Sequence, residues 1–262
     1  MKFEKSKIVK DQLEIACIRE ASLISSDFHT LGMSRRIIGK SENELLSFYN
    51  TYKKHFKFST WAYPVVIGSG ERSTILHARP TKKNLYDGDL VLVDLGVKYN
   101  GYCSDVTRTW PVGERFSKEQ KTIYQIVLSA QKAAIKRACP GSTLDEIHEY
   151  CRKSLLEGLL SKGIIKSGKI DKYFPHKTSH WIGRDVHDEC PHQYIDKSPI
   201  ILSPGMCFTI EPGLYFKGTC SKYEGIGVRI EDVILVTDEG NEVLSRAPKE
   251  IEEVECLRSL AV

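Results

Sequence analysis

Four acidic residues of this 262-residue chain stand at repeated positions. The segment Asp87-Gly-Asp-Leu-Val-Leu-Val-Asp94-Leu-Gly96 aligns without a gap with Pro204-Gly-Met-Cys-Phe-Thr-Ile-Glu211-Pro-Gly213, so that a Gly, a hydrophobic run, an acid and a second Gly coincide. Further along, Gly101-x-x-x-Asp105 answers Gly227-x-x-x-Glu231. Each half therefore places one carboxylate at the end of a hydrophobic strand and another on a later strand. A single such acid is most simply a loop residue or the partner of a Lys or Arg, but four at duplicated positions point to one shared site. Gathered among apolar strands they cannot all stay bare anions, because desolvation and mutual repulsion both disfavour it. Cations or protons must neutralise them. Two divalent ions about 3.5–4 Å apart can share bridging carboxylates and hold a water as hydroxide at neutral pH, a nucleophile suited to an amide carbonyl.

The elements that must position these acids are also duplicated. Leu13, Cys17, Ala21, Ile24, Phe28 and Leu31 recur at steps of three and four and predict a helix; Leu45, Phe48, Tyr52 and Phe56 predict a second. Between them Gly39 can end one helix, and Ser41 with Glu44 can cap the next. Short β-rich runs follow at 65–67, 74–76, 90–93 and about 102–112. The second half repeats the order, with a helix through Ile123, Ile126, Ala130 and Ala134 and another through Leu144, Ile147, Cys151, Leu155 and Leu159. Its junction, Gly141-Ser-Thr143-Leu-Asp-Glu146-Ile147, has the pattern of the first. We therefore expect an α+β fold of two pseudo-symmetric halves, about 7–113 and 114–262, forming one domain behind a short tail at 1–6. A curved antiparallel-rich sheet lies inside and helices outside.

Composition removes several function classes. A hydrophobic share of 41% is ordinary for a globular chain, and no apolar run approaches the roughly 18 residues of a membrane span. The net charge of +4 comes from scattered Lys and Arg, the densest runs (Lys53-Lys54, Lys82-Lys83) being only two long, which argues against nucleic-acid binding. Eight cysteines without a Cys-x-x-Cys pair or a preceding signal peptide read as reduced thiols, and the expected location is cytoplasmic. Gly68-Ser69-Gly70 lacks the third Gly of a nucleotide loop, and Arg72 is expected to lead into a strand.

Four motifs in order, Asp94-Leu-Gly-x5-Gly101-x3-Asp105-Val-Thr-Arg-Thr, Ser179-His180-Trp-Ile-Gly-x-Asp185-Val-His187-Asp188, Thr209-Ile-Glu211-Pro-Gly-Leu-Tyr215 and Gly225-Ile-Gly-Val-Arg229-Ile-Glu231-Asp232, resemble the pita-bread metallopeptidases. Within them the chain is most similar to the Xaa-Pro aminopeptidase (aminopeptidase P) and Xaa-Pro dipeptidase (prolidase) branch, over about residues 7–255. The resemblance implies a dinuclear metal site with Asp94, Asp105, His180, Glu211 and Glu231 as ligands, Asp105 and Glu231 bridging, and Glu211 also shuttling a proton. A carboxylate-dominated set with one imidazole suits Mn²⁺, with Co²⁺ or Zn²⁺ as alternatives. The implied partner is a peptide with proline second, and a homo-oligomer is compatible with it.

The resemblance also implies that His77, expected at the end of the strand 74–76, stands near the scissile carbonyl and that His187 contacts substrate. His176 is a candidate neighbour of the site. Arg229 shares a strand face with Glu231, which leaves open whether it holds a carboxylate of the site or of the substrate, or pairs charge structurally. Cys103 and Cys207 have the parity of Asp105 and Glu211, yet a buried inert thiol is the simpler reading. Histidines 29, 55, 148 and 192 are expected on the surface. One departure is that relatives in this branch carry an additional N-terminal domain. Methionine aminopeptidase, which shares the fold and ligand set, and a non-catalytic binding module of the same fold are the competing readings. Ser179-His180-Trp181 and Arg229-Ile-Glu231-Asp232 fit the proline branch better than the first, and the retention of all five ligands speaks against the second.

Overall fold

A computed structural model describes residues 8–56, 60–190, 193 and 197–261. The expected tail at 1–6 and His192 lie outside the described residues. The first half opens with α1 (Gln12–Met33) and α2 (Glu42–Tyr52), the second with α3 (Lys118–Arg137) and α4 (Leu144–Ser161). Their starts are chemically marked. Ser41 Oγ accepts the Glu44 amide while the Glu44 carboxylate accepts the Ser41 amide, and Thr143 with Glu146 does the same, so both junction motifs are reciprocal caps. Asp11 with Glu14 and Ser117 with Gln120 cap α1 and α3 likewise. A further helix, α5 (Ile251–Ser259), has no counterpart in the sequence reading.

The strands are β1 (Thr60–Trp61), β2 (Val66–Ser69), β3 (Leu90–Leu95), β4 (Val97–Tyr99), β5 (Tyr102–Cys103), β6 (Val106–Pro111), β7 (Cys207–Ile210), β8 (Gly213–Tyr215), β9 (Gly227–Arg229), β10 (Asp232–Thr237) and β11 (Gly240–Val243). In the first half β3 lies between β2 and β6, antiparallel to both; in the second, β7 lies between an antiparallel bridge at Trp181 and the antiparallel β10. The two halves meet where β6 faces the end of β9: the Glu231 amide donates to Thr107 O at 3.0 Å, and Thr109 Oγ1 bonds both the amide and the carbonyl of Arg229. One buried apolar cluster runs from Ile8 to Val254 through both halves. Among the described residues no helix is long and apolar enough to cross a membrane.

Several expectations are corrected. Residues 74–76 are not a strand: Gly70–Thr74 is a 3-10 turn, and His77 lies in the turn after it, exposed. Ser73 Oγ donates to Gly70 O at 2.6 Å and Thr74 Oγ1 to Glu71 O at 2.7 Å, so hydroxyls satisfy the carbonyls that a sheet partner would otherwise take. Arg72 thus belongs to this turn and leads into no strand. Along α1, Ala21, Ile24 and Phe28 are buried as expected, but in the first turns the buried positions are Ile15 and Ile18, with Leu13 80% exposed, where the helix packs on β4, β5 and β6. His29 and His148 are buried rather than at the surface. His29 Nε2 meets Val106 O at 2.8 Å, and burial pushes its pKa down to about 3; His148 Nδ1 meets Thr178 Oγ1 at 2.8 Å. His55 is exposed as expected.

Candidate metal centre

The duplicated strand ends bring the four acids to one place. Asp94 is the fifth residue of β3, paired on one side with Val66 and on the other with Thr107. Asp105 and Glu231 occupy the breaks before β6 and β10, and Glu211 follows β7. Asp94, Asp105 and Glu231 are 8%, 6% and 2% exposed, which leaves little water to solvate their charge. His180 is latched to β7 by reciprocal bonds with Thr209, whose amide donates to His180 O at 2.9 Å and whose hydroxyl accepts the His180 amide at 3.2 Å. Its Nε2 then lies 3.3 Å from Asp105 Oδ2, 3.7 Å from Glu211 Oε1 and 4.0 Å from Glu231 Oε1. The other ring nitrogen, Nδ1, is 3.1 Å from Trp181 O and can only donate there, so Nε2 is the nitrogen turned toward the acids.

Three sets of donor atoms each lie within 4.8 Å of one another: Asp94, Asp105 and Glu231; His180, Glu211 and Glu231; and Asp105, His180 and His187. The two carboxylate-rich sets share Glu231. Burial first, then neighbouring carboxylates, push the carboxyl groups of Asp105, Glu211 and Glu231 well above the usual range. One guanidinium, Arg229, cannot balance four carboxylates. The donor set, hard oxygens with a single correctly oriented imidazole, fits a pair of divalent cations.

Arg229 is itself buried, and the carboxylate it holds belongs to the site: its Nη2 donates to Asp94 Oδ2 at 2.6 Å and its Nε to Thr107 Oγ1 at 3.1 Å. Its Nη1 donates to Tyr215 Oη at 3.0 Å, which passes a hydrogen bond to His176 Nε2 at 2.9 Å because His176 Nδ1 donates to Lys177 O. Burial, followed by the Arg229 charge, lowers the His176 pKa to about 3, so this ring is neutral. Its Nδ1 is 3.7 Å from Glu211 Oε2. His77 and His187 line the same cleft of about 340 Å³, together with Leu76, His176 and Lys177. The His187 ring stands edge-on to that of His180 with centroids 4.3 Å apart. Cys103 and Cys207 stay outside the cleft: Cys103 Sγ donates to Arg184 O, and Cys207 packs among Ile15, Ile18 and Val233. Burial raises their thiol pKa values to about 11 and about 12.

Three participants escape sequence reasoning. Tyr63 Oη donates between Asp94 Oδ1, at 2.5 Å, and Asp105 Oδ1; Thr107 Oγ1 donates to Glu231 Oε2 at 2.7 Å; and Tyr215 links Arg229 to His176. Thr107 and Tyr215 lie inside the quoted motifs, where strand parity could have pointed to them. Tyr63 precedes β2 with no pattern around it.

Comparison with known proteins meets this geometry directly. Residues 16–238 match metallopeptidase family M24. The chain belongs to that family. It is 37% identical over 265 residues to the Xaa-Pro aminopeptidase of Escherichia coli strain K12, a match covering 96% of this chain and 59% of that protein. Among solved structures, the aminopeptidase PepP of Pseudomonas aeruginosa superposes with a TM-score of 0.91 at 34% identity, over 97% of this chain and 60% of that one. Zinc-substituted E. coli aminopeptidase P in complex with product gives 0.89 at 36% identity, again over 97% and 60%. The fold is the pita-bread fold, and the chain spans about three-fifths of the length of these relatives.

Proposed function

We propose that this chain is the metal-dependent catalytic domain of an exopeptidase that removes the N-terminal residue from peptides with proline in the second position. The observation that carries this reading is the pair of donor sets sharing Glu231, facing a cleft into which His77 and His187 also open. Asp94, Asp105, His180, Glu211 and Glu231 are the residues that would hold two divalent ions, Mn²⁺ in preference to Co²⁺ or Zn²⁺. When bound, such a pair supplies a hydroxide nucleophile at neutral pH and Lewis acidity toward a carbonyl. Residues 7–262 then form one domain of two halves, and the apolar cluster that runs through both supports its being a single domain. A cytoplasmic setting agrees with eight free cysteines.

The protein's own residues handle orientation and protons. Arg229 fixes the rotamer of Asp94, and Thr107 that of Glu231. Glu211 takes the proton released as the water attacks and delivers it to the amide nitrogen, which leaves only if it is protonated as the bond breaks. His77 and His187, which line the same cleft, donate hydrogen bonds to the tetrahedral intermediate or the substrate as charge develops. His176, neutral and anchored by Tyr215, borders Glu211 and the substrate.

The test combines metal content by mass spectrometry with a peptide panel. Asp105→Asn is expected to lose metal and activity together, and Ala-Pro peptides are expected to be cleaved in preference to Met-Ala. Full occupancy with near-normal turnover in Asp105→Asn would refute the dinuclear assignment; preference for Met-Ala would move the chain to the methionine aminopeptidase reading.

A further inference from the structure

His77 reaches the cleft from a loop that no sheet ladder continues. Residues 69–81 leave β2, pass through the 3-10 turn Gly70–Thr74 and return to within bonding distance of their start, where the Ile67 amide donates to Ala78 O at 3.0 Å. Such a segment needs something at its base to give it one conformation. The residue found there is Glu42, the first residue of α2, whose side chain is 0% exposed. A bare carboxylate at that burial would be strongly disfavoured. Here it is saturated. Oε1 accepts the Ser69 amide at 2.9 Å and the Ser69 hydroxyl at 3.0 Å; Oε2 accepts the Thr81 amide at 3.0 Å and the Thr81 hydroxyl at 2.7 Å. Arg72 Nε sits 3.2 Å from both oxygens, and Arg72 Nη2 donates to Arg79 O at 2.6 Å.

One carboxylate thus ties together the two ends of the loop and its middle, with one oxygen for each end. The same helix turn adds two main-chain ties, from the Glu42 amide to Lys83 O and from the Asn43 amide to Thr81 O. On its far side the loop is pressed against the other half of the molecule: the Gly227 amide donates to Ser73 Oγ at 2.9 Å, and a Cβ at Gly227 would come 2.1 Å from Ser73 O. Arg229 Nη2, already on Asp94, approaches Leu76 O at 3.4 Å. The loop is held between a fixed anion on α2 and the strand that carries Arg229.

We infer that Glu42 is a positioning residue for His77: it cinches loop 69–81 so that the imidazole is held over the metal centre before substrate arrives. The inference rests on the role proposed above for His77. Ser69 and Thr81 each present an amide that cannot turn into an acceptor, so a side-chain NH₂ in place of either carboxylate oxygen meets a donor with a donor and loosens one end of the loop. Hydrogen-bond donors aimed at developing charge are sensitive to placement, with a displacement of about 1 Å worth about 10²-fold in rate. The metal ligands do not belong to this loop, so occupancy is unaffected.

The test is a double-mutant cycle read in kcat, KM and bound metal. Glu42→Gln is expected to lower kcat about 10- to 100-fold with metal content retained and KM within about twofold, whereas in a His77→Ala background the same change costs less than about twofold. Should Glu42→Gln not fold, Thr81→Val removes one hydroxyl donor from the carboxylate and leaves the others; a smaller loss in kcat, again absent in the His77→Ala background, is expected. Equal losses in both backgrounds, or no loss in the parent, would overturn the positioning role while leaving the role of His77 intact. Parent-like kcat in His77→Ala alone would instead remove that role, and the inference with it.

Discussion

Arg229 donates from Nη2 to Asp94 Oδ2 at 2.6 Å, so a residue at the end of β9 in the second half fixes the carboxylate near the end of β3 in the first. Both side chains are nearly closed to solvent, at 4% and 12% exposed. Removing one partner of a buried pair leaves an uncompensated charge and is worth about 3–5 kcal/mol. Arg229→Met is therefore expected to unfold at a lower temperature than the parent when both are held in chelator. Added Mn²⁺ neutralises the orphaned Asp94, so the metal-induced rise in Tm should be larger in the variant than in the parent. Thermal denaturation with and without metal measures both, and equal rises would show that Arg229 and the cations do not share Asp94.

The raised carboxyl groups of Asp105, Glu211 and Glu231 fix the sign of the pH dependence. Burial and like charge hold their protons on the folded, metal-free chain above the ordinary values of 3.8 and 4.5. A group whose carboxyl pKa is higher folded than unfolded stabilises the fold at low pH and loses that contribution as pH rises through the folded value. Metal-free protein should thus become less stable as pH climbs from about 4 into the neutral range, while metal affinity rises over the same range because binding must displace those protons. Chelator-treated protein followed by urea titration, and Mn²⁺ titration by calorimetry, test the two slopes; stability that rises with pH, or affinity that falls, over that range would contradict the assignment.

Much of this site is legible in the amino-acid sequence because the duplication places acids by rule. The gapless match of residues 87–96 with 204–213 puts Asp94 and Glu211 at equivalent strand ends, and the folded chain brings them together with Asp105 and Glu231. Both junction caps are local, within four residues, and so are readable. What is not legible depends on distant partners. Tyr63 meets Asp94 and Asp105 only through the packing of β2, β3 and β6, and nothing in its neighbours marks it. Residues 74–76 look like a strand by composition but become part of a turn because Ser73 and Thr74 bond back to Gly70 and Glu71. In the first turns of α1, Leu13 and the buried pair Ile15 and Ile18 both fit a helical period that continues through the buried Ala21, Ile24 and Phe28, and only the strands beneath decide between them.

Behind the metal centre, Asp232 holds Arg108 Nη2 at 2.6 Å and Lys249 Nζ at 2.5 Å, and Arg108 Nη1 donates to the carbonyl of Glu231 at 2.6 Å. Burial alone would raise the Asp232 carboxyl, but Arg108 and then Lys249 outweigh it and bring the pKa down to about 2 from 3.8. The folded value is the lower one, so the stability it contributes, about 2 kcal/mol, is complete above pH 4 and is lost as pH falls toward 2. The gap in urea midpoint between the parent and Asp232→Asn should be widest near neutrality and narrow across that window. A gap independent of pH would mean that the charge on Asp232 contributes nothing.

The last prediction separates proton transfer from charge stabilisation, using two residues that line the same cleft. Glu211 lies 3.7 Å from His180 Nε2 and 3.7 Å from His176 Nδ1, inside the donor set, whereas His77 stands exposed on the loop held by Glu42. Glu211→Gln keeps the shape and one oxygen but cannot carry a proton. With occupancy restored by excess Mn²⁺, it is expected to lower kcat far more than KM, because an amide nitrogen that is not protonated does not leave. His77→Ala removes a donor aimed at the developing oxyanion without touching a ligand, and is expected to lose about 10²–10³-fold in kcat, or about 3–4 kcal/mol, with both metals retained. The two variants should also differ in pH profile: with the shuttle gone, Glu211→Gln loses the limb of kcat that its carboxyl controls, while His77→Ala keeps the parent's shape at lower height. Metal-saturated Glu211→Gln turning over like the parent would remove the shuttle role from Glu211.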